Sequence, residues 1–186
     1  FKRRLAGEAY SDILEAGGGI LSTVSQTRNA TDEELEQAFE ERVRRMIALG
    51  VTTIEVKSGY GLTPDHERRM LVVARRVGER LGVRVLTTFL GAHAVPSDYR
   101  NRREEYVEHV INEQLPFVQD VADFIDVYVD RGAFTVDEGR RILKAGKAYG
   151  LKLRIHAEQV AFTGAAKMAA ELGAISADHL ESCLLY

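Results

Sequence analysis

The chain has 186 residues, of which 45% are hydrophobic and 28% charged, enough for one sizeable core and ordinary for a soluble globular protein. A formal net charge of -3 and a pI near 6.0 give no electrostatic reason to bind nucleic acid, and the basic runs Lys2-Arg3-Arg4 and Arg100 to Arg103 are short enough to be solvated helix faces. The single cysteine, Cys183, excludes an internal disulfide framework; no apolar run spans a bilayer and no signal peptide opens the chain, so the expected location is cytoplasmic and no membrane partner is expected.

A short helix is expected around Tyr10 to Glu15, followed by the flexible Gly17-Gly18-Gly19. Thr31-Asp32-Glu33-Glu34 has capping-box spacing, and Leu35, Ala38, Phe39, Val43, Met46 and Ile47 then fall on one helical stripe that Gly50 ends. Val51 to Val56 is a β-branched run that reads as a buried strand. Thr63-Pro64 opens a helix to about Leu81, and Val83 to Leu90 is the next strand. The Arg-rich stretch from Ser97 to Gln119 holds one or two helices before a strand over Phe124 to Val129. Thr135-Val136-Asp137-Glu138 opens another helix, which ends near Gly150 ahead of the strand Leu151 to Ile155. A last helix from about Thr163 to Leu172, with Gly173 as its C-cap, leads to the strand Ala174 to Ala177.

This alternation predicts an α/β protein of about five βα units with a parallel sheet. A (β/α)8 barrel and a doubly wound open sheet both fit the spacing. The barrel is favoured, because no strand leads into Gly-x-Gly-x-x-Gly and polar residues follow every strand. Five strands do not close an eight-stranded barrel, so residues 1–186 are expected to be a single partial barrel domain with at least one strand missing before and two after.

The strand ends carry Lys57-Ser58-Gly59-Tyr60, His93, Asp130-Arg131, His156 with Glu158 and Gln159, and Asp178-His179. Any one of these is more simply a satisfied rim residue; five in succession point to a site, since loops on a rigid scaffold carry function. His156 is the best metal candidate, a neutral imidazole on a strand that can present one nitrogen while the other is held. His179 fits either a second ligand or a proton shuttle, with Asp178 orienting it or bonding backbone. Glu158 and Gln159 point to opposite sides if the strand continues, and the Gln159 amide can both donate and accept. The Lys57-Ser58-Gly59-Tyr60-Gly61 turn lacks the Gly-Lys-Ser/Thr ending of a phosphate loop and does not predict nucleotide binding. Asp65 to Arg69, with His66, and His109 read as helix surface.

Glu55-Val56-Lys57-Ser58-Gly59-Tyr60-Gly61-Leu62, Thr88-Phe89-Leu90-Gly91-Ala92-His93-Ala94-Val95-Pro96, Asp126-Val127-Tyr128-Val129-Asp130, Ile155-His156-Ala157-Glu158-Gln159 and Ser176-Ala177-Asp178-His179-Leu180 stand in an order that resembles the imidazolonepropionase family of the amidohydrolase superfamily. Leu14 to Ile20 fits the same resemblance, which covers nearly the whole chain up to about Glu181. It implies a portion of a TIM-like barrel of the metal-dependent hydrolase type, with the family's small β domain not present in these residues. The implied activity opens 4-imidazolone-5-propanoate to N-formimidoyl-L-glutamate in histidine degradation. The implied roles are His156 as ligand of one Zn or Fe ion; Tyr60, His93, Gln159 and, less directly, Tyr10 as substrate contacts; and His179 as the catalytic group beside the reacting carbonyl. A His-x-His ligand pair, a substrate-binding Arg and a metal-binding Asp are implied outside the 186 residues, so this stretch alone is expected to be inactive. A small-molecule substrate is the expected partner, and a homodimer is compatible with the resemblance. The alternatives are another cyclic-amide hydrolase or deaminase on the same barrel, or a noncatalytic α/β ligand-binding protein.

Overall fold

A computed structural model describes residues 20–183 together with positions 5 and 7. Helix α1 (Ile20–Asn29), absent from the sequence expectation, packs Val24 into the core and precedes α2 (Asp32–Ala48). In α2 the Thr31 hydroxyl accepts from the Glu34 N–H while the Glu34 carboxylate accepts from the Thr31 N–H, the capping box that the spacing predicts. Strand β1 (Thr53–Lys57) leads through the glycine-rich turn into α3 (Pro64–Leu81), and β2 (Arg84–Ala92) follows. The helical stretch from Arg103 to Val118 is α4 (Arg103–His109), a π turn (Val110–Gln114) and α5 (Leu115–Val118). The widened turn sits just ahead of Pro116, which has no N–H to return to the preceding turn. Strand β3 (Phe124–Val129), α6 (Val136–Ala148), β4 (Lys152–Ala157), α7 (Ala165–Leu172) and β5 (Ser176–His179) complete the described fold.

All five strands are parallel and lie in the order β1-β2-β3-β4-β5, each beside the one before it. A doubly wound sheet reverses its strand order at a switch point; this sheet does not, and it is consistent with part of a TIM-like barrel. Four of the strands begin one or two residues later than the apolar runs suggest, β3 begins at Phe124 as expected, and β1, β4 and β5 continue through Lys57, His156 and His179 themselves. These groups are therefore the last rungs of the sheet.

Side chains alternate between the two faces of a strand. Ile125, Val127 and Val129 of β3 and Leu153, Ile155 and Ala157 of β4 face the helices, where they meet Leu71, Val110, Leu115, Ile142, Leu143 and Met168 in the main core. The other face carries Glu55 and Lys57, Thr88, Asp126, Arg154 and His156, and Ser176 and Asp178. Its polar groups are interrupted by Leu86, beside Glu55, and by Phe124, beside Thr88 and under the Arg154 guanidinium. The salt bridge from Arg154 to Glu55 at 3.3 Å and the hydrogen bond from Thr88 to Glu55 at 2.5 Å tie its lower layer together. Among the described residues no helix is long and apolar enough to cross a membrane.

Candidate active site and metal ligand

The upper layer of this polar face is a charged chain. Lys57 Nζ at the end of β1 lies 2.7 Å from Asp126 Oδ2 on β3, 3.0 Å from Glu55 Oε1 and 3.1 Å from Asp178 Oδ2 on β5. Asp126 is buried, and its two oxygens lie 3.0 and 2.9 Å from His156 Nδ1. Burial by itself would raise the Asp126 carboxyl, but the bonds and charges of His156 and Lys57 prevail and hold it below the usual carboxylate range. Burial likewise works against the Lys57 charge, and Asp126 beside it keeps the ammonium above its ordinary value. Asp126 thus stays an acceptor, and the Nδ1–H of His156 is committed to it.

Asp126, His156 and Asp178 offer ligand atoms within 4.8 Å of one another. The Lys57 ammonium, however, already bridges the two carboxylates, and a divalent ion between them would have to displace it. The donor set fits a different arrangement. Asp126 fixes the orientation and tautomer of His156, leaving Nε2 as the nitrogen that could hold a metal.

Around His156 the rings of four other strand-end residues gather. Its centroid lies 5.2 Å from His179, 6.3 Å from His93 and 6.0 Å from Tyr128, and His93 in turn meets Tyr60 edge-on at 5.1 Å. His93 Nδ1 lies 3.1 Å from the Gly59 carbonyl oxygen. A carbonyl accepts only, so Nδ1 carries the hydrogen and Nε2 keeps a free lone pair in the neutral ring. Burial pushes the His93 imidazole below its usual value and favours that neutral form. Simple alternation would set His179 on the face opposite Asp178. Its backbone is left-handed at φ 79°, which turns the ring back toward His156.

The structure thus brings Tyr60, His93, His156 and His179 together. Gln159 stands exposed on the rim, where the chain leaves β4 after Ala157 through Glu158 in a left-handed conformation, φ 58°, and Glu158 itself turns inward and is fully buried. The Glu158 carboxylate accepts from Thr163 and from the Ala166 N–H at the start of α7. Tyr10 lies outside the described residues. Asp130 is a loop anchor and not a rim group, for its carboxylate accepts the N–H of Gln159 at 2.7 Å, of Val160 at 2.9 Å and of Ala161 at 3.1 Å. Glu67, expected on the surface, is fully buried, and His66 and His109 are half-buried. Asp126 and Lys57 stand within the quoted motifs without a role of their own there; the signal that could have found Asp126 is a lone carboxylate in the middle of a β-branched and aromatic strand.

No protein-family model matches the chain. Curated relatives do: the imidazolonepropionase of Myxococcus xanthus is 51% identical over 183 residues, that of Geobacillus kaustophilus 48% over 179, and that of Clostridium tetani 46% over 182. These alignments take in 97%, 95% and 97% of the chain. The chain belongs to the imidazolonepropionase family. It covers 44%, 42% and 43% of these relatives' lengths, somewhat less than half of each.

Proposed function

We propose that the full-length protein is a metal-dependent amidohydrolase that opens the ring of 4-imidazolone-5-propanoate to N-formimidoyl-L-glutamate in histidine degradation. The observation that carries this is His156, its Nδ1 taken by the buried Asp126 and its ring facing His93 and His179. A bound Zn or Fe ion would supply an activated water and polarise the ring carbonyl. His156 would hold it through Nε2. One imidazole is too few for a catalytic metal, so the other ligands would come from parts of the full-length protein outside these residues, and the 186-residue stretch alone would be inactive.

The remaining side chains have separable tasks. With its Nδ1–H given to Gly59, His93 presents Nε2 as an acceptor for a substrate ring N–H. Tyr60, packed edge-on against His93, would bound the planar ring, with Gln159 and Tyr10 as further substrate contacts. His179 is turned toward the cluster by its own backbone and would polarise the carbonyl and transfer a proton near neutral pH. A protein of this kind is expected to work in the cytoplasm.

The test is turnover of 4-imidazolone-5-propanoate by the full-length protein and its His93→Ala variant. Turnover is expected to fall about a hundredfold in the variant while bound metal is unchanged. Unchanged turnover would contradict the substrate role of His93.

A further inference from the structure

The turn after β1 is folded around a carboxylate from the helix that follows it. Glu67 has no exposed surface; its Oε2 accepts the Gly59 N–H at 2.8 Å, and its Oε1 accepts the N–H of Gly61 at 2.8 Å and of Leu62 at 2.7 Å. The backbone it gathers is one that most residues resist. Gly59 lies at φ 96°, and a Cβ there would stand 2.8 Å from the Leu90 carbonyl oxygen and 3.0 Å from His93 Nδ1. A Cβ on Gly61 would meet His66 Cβ at 2.6 Å, and the buried Leu62 is left-handed at φ 57°. On the other flank the Arg28 guanidinium donates from Nε to the Gly61 carbonyl at 2.7 Å. Three converging backbone N–H groups around an anion make the kind of nest that binds phosphate in other proteins. Here the acceptor is internal: burial pushes the Glu67 carboxyl up, and the three N–H groups that fill its two oxygens work the other way and favour the charged form.

We propose that Glu67 is a positioning residue for substrate recognition: by holding the N–H groups of Gly59, Gly61 and Leu62, it fixes the Gly59 carbonyl that sets the His93 tautomer and the backbone that carries Tyr60. The proposal rests on His93 and Tyr60 being substrate contacts. It makes the β1 turn, Glu67 and His93 one unit that touches the substrate through two side chains and is tied together by a third that never reaches it. The consequence of losing the carboxylate charge is specific. An amide at position 67 has one acceptor, best used on the pair Gly61 and Leu62, so its NH2 faces the Gly59 N–H as donor against donor. The residue displaced, Gly59, is the one whose carbonyl holds His93.

In the full-length protein, Glu67→Gln is expected to raise KM for 4-imidazolone-5-propanoate about tenfold, leaving bound metal unchanged and kcat little altered. With 15N-labelled histidine, the His93 signal is expected to show Nδ1–H in the wild type and a mixture of tautomers in the variant. Arg28→Met loosens the same turn without disturbing the buried carboxylate, and a smaller KM rise, about threefold, with a partial tautomer change is expected. A folded Glu67→Gln protein with wild-type KM and a wild-type His93 signal overturns the proposal. If Glu67→Gln does not fold, an Arg28→Met protein with unaltered KM and His93 signal overturns it. Absence of turnover in the wild type contradicts the activity, and the His93 signal then decides the role of Glu67 by itself.

Discussion

The turn after β1 and the turn after β4 are each gathered around a carboxylate, but the two carboxylates arrive differently. Glu67 comes from the helix immediately following its turn, six residues beyond Gly61, whereas Asp130 reaches the Gln159 turn from the end of the neighbouring strand, 29 residues earlier in the chain. The β1 side is a turn held by a carboxylate close to it in the chain and joined to a neutral histidine from the end of β2. The β4 side is a charged chain, Lys57 to Asp126 to His156, whose parts come from three strands. One half of the site is built to hold a shape and the other to hold a charge, so substitutions on the two sides should fail in different ways.

The sharpest contrast is expected at His179, on the charged side. His179→Asn in the full-length protein should lower kcat by about a hundredfold to ten-thousandfold with bound metal retained, measured by steady-state kinetics alongside elemental analysis. Asp126→Asn should instead act through the metal, weakening its affinity about tenfold to a hundredfold in competition with a chelator. The pH dependence follows from the sign of the Asp126 shift. Its folded pKa lies below the unfolded one, so its stabilising contribution is complete above the ordinary carboxylate range and is lost as pH falls through the depressed value. Acid titration of stability should therefore be shallower in Asp126→Asn than in the wild type. The smallest effect is expected from Asp130→Asn, which keeps part of its hydrogen bonding to the Gln159 turn. A loss of about 1 to 2 kcal/mol in denaturant melts is expected, with the His93 tautomer unmoved. A tautomer change there would break the separation of the two sides.

Much of this arrangement was legible in the residues. The capping boxes at Thr31 and Thr135 and the glycine C-cap at Gly173 hold because they are local, each set within one turn of chain, and the βα rhythm holds with them. Thr63 departs from that pattern, since its hydroxyl lies 2.7 Å from His66 Nδ1 and makes no cap bond to the helix. Glu67 was missed because a charged residue near a helix start ordinarily faces water. The stripe Leu71, Ala74 and Val77 places it on the buried side, and its partners are backbone groups that no residue pattern displays. The partnership of Asp126 with His156 and Lys57 depends on the stagger between strands 69 and 30 residues apart, which alternation within a strand does not reveal. His179 was legible as a strand-end group. Its turn toward His156 depends on a left-handed backbone, uncommon outside glycine, that no residue pattern in the strand displays.

The central claim is that Asp126 holds His156 as a metal ligand. The direct measurement is the metal content of freshly purified full-length protein beside its His156→Ala variant, by elemental analysis. About one Zn or Fe per chain in the wild type, lost in the variant while the protein stays folded, is the expected result. A wild-type protein without metal, or a variant that retains it fully, would contradict the account.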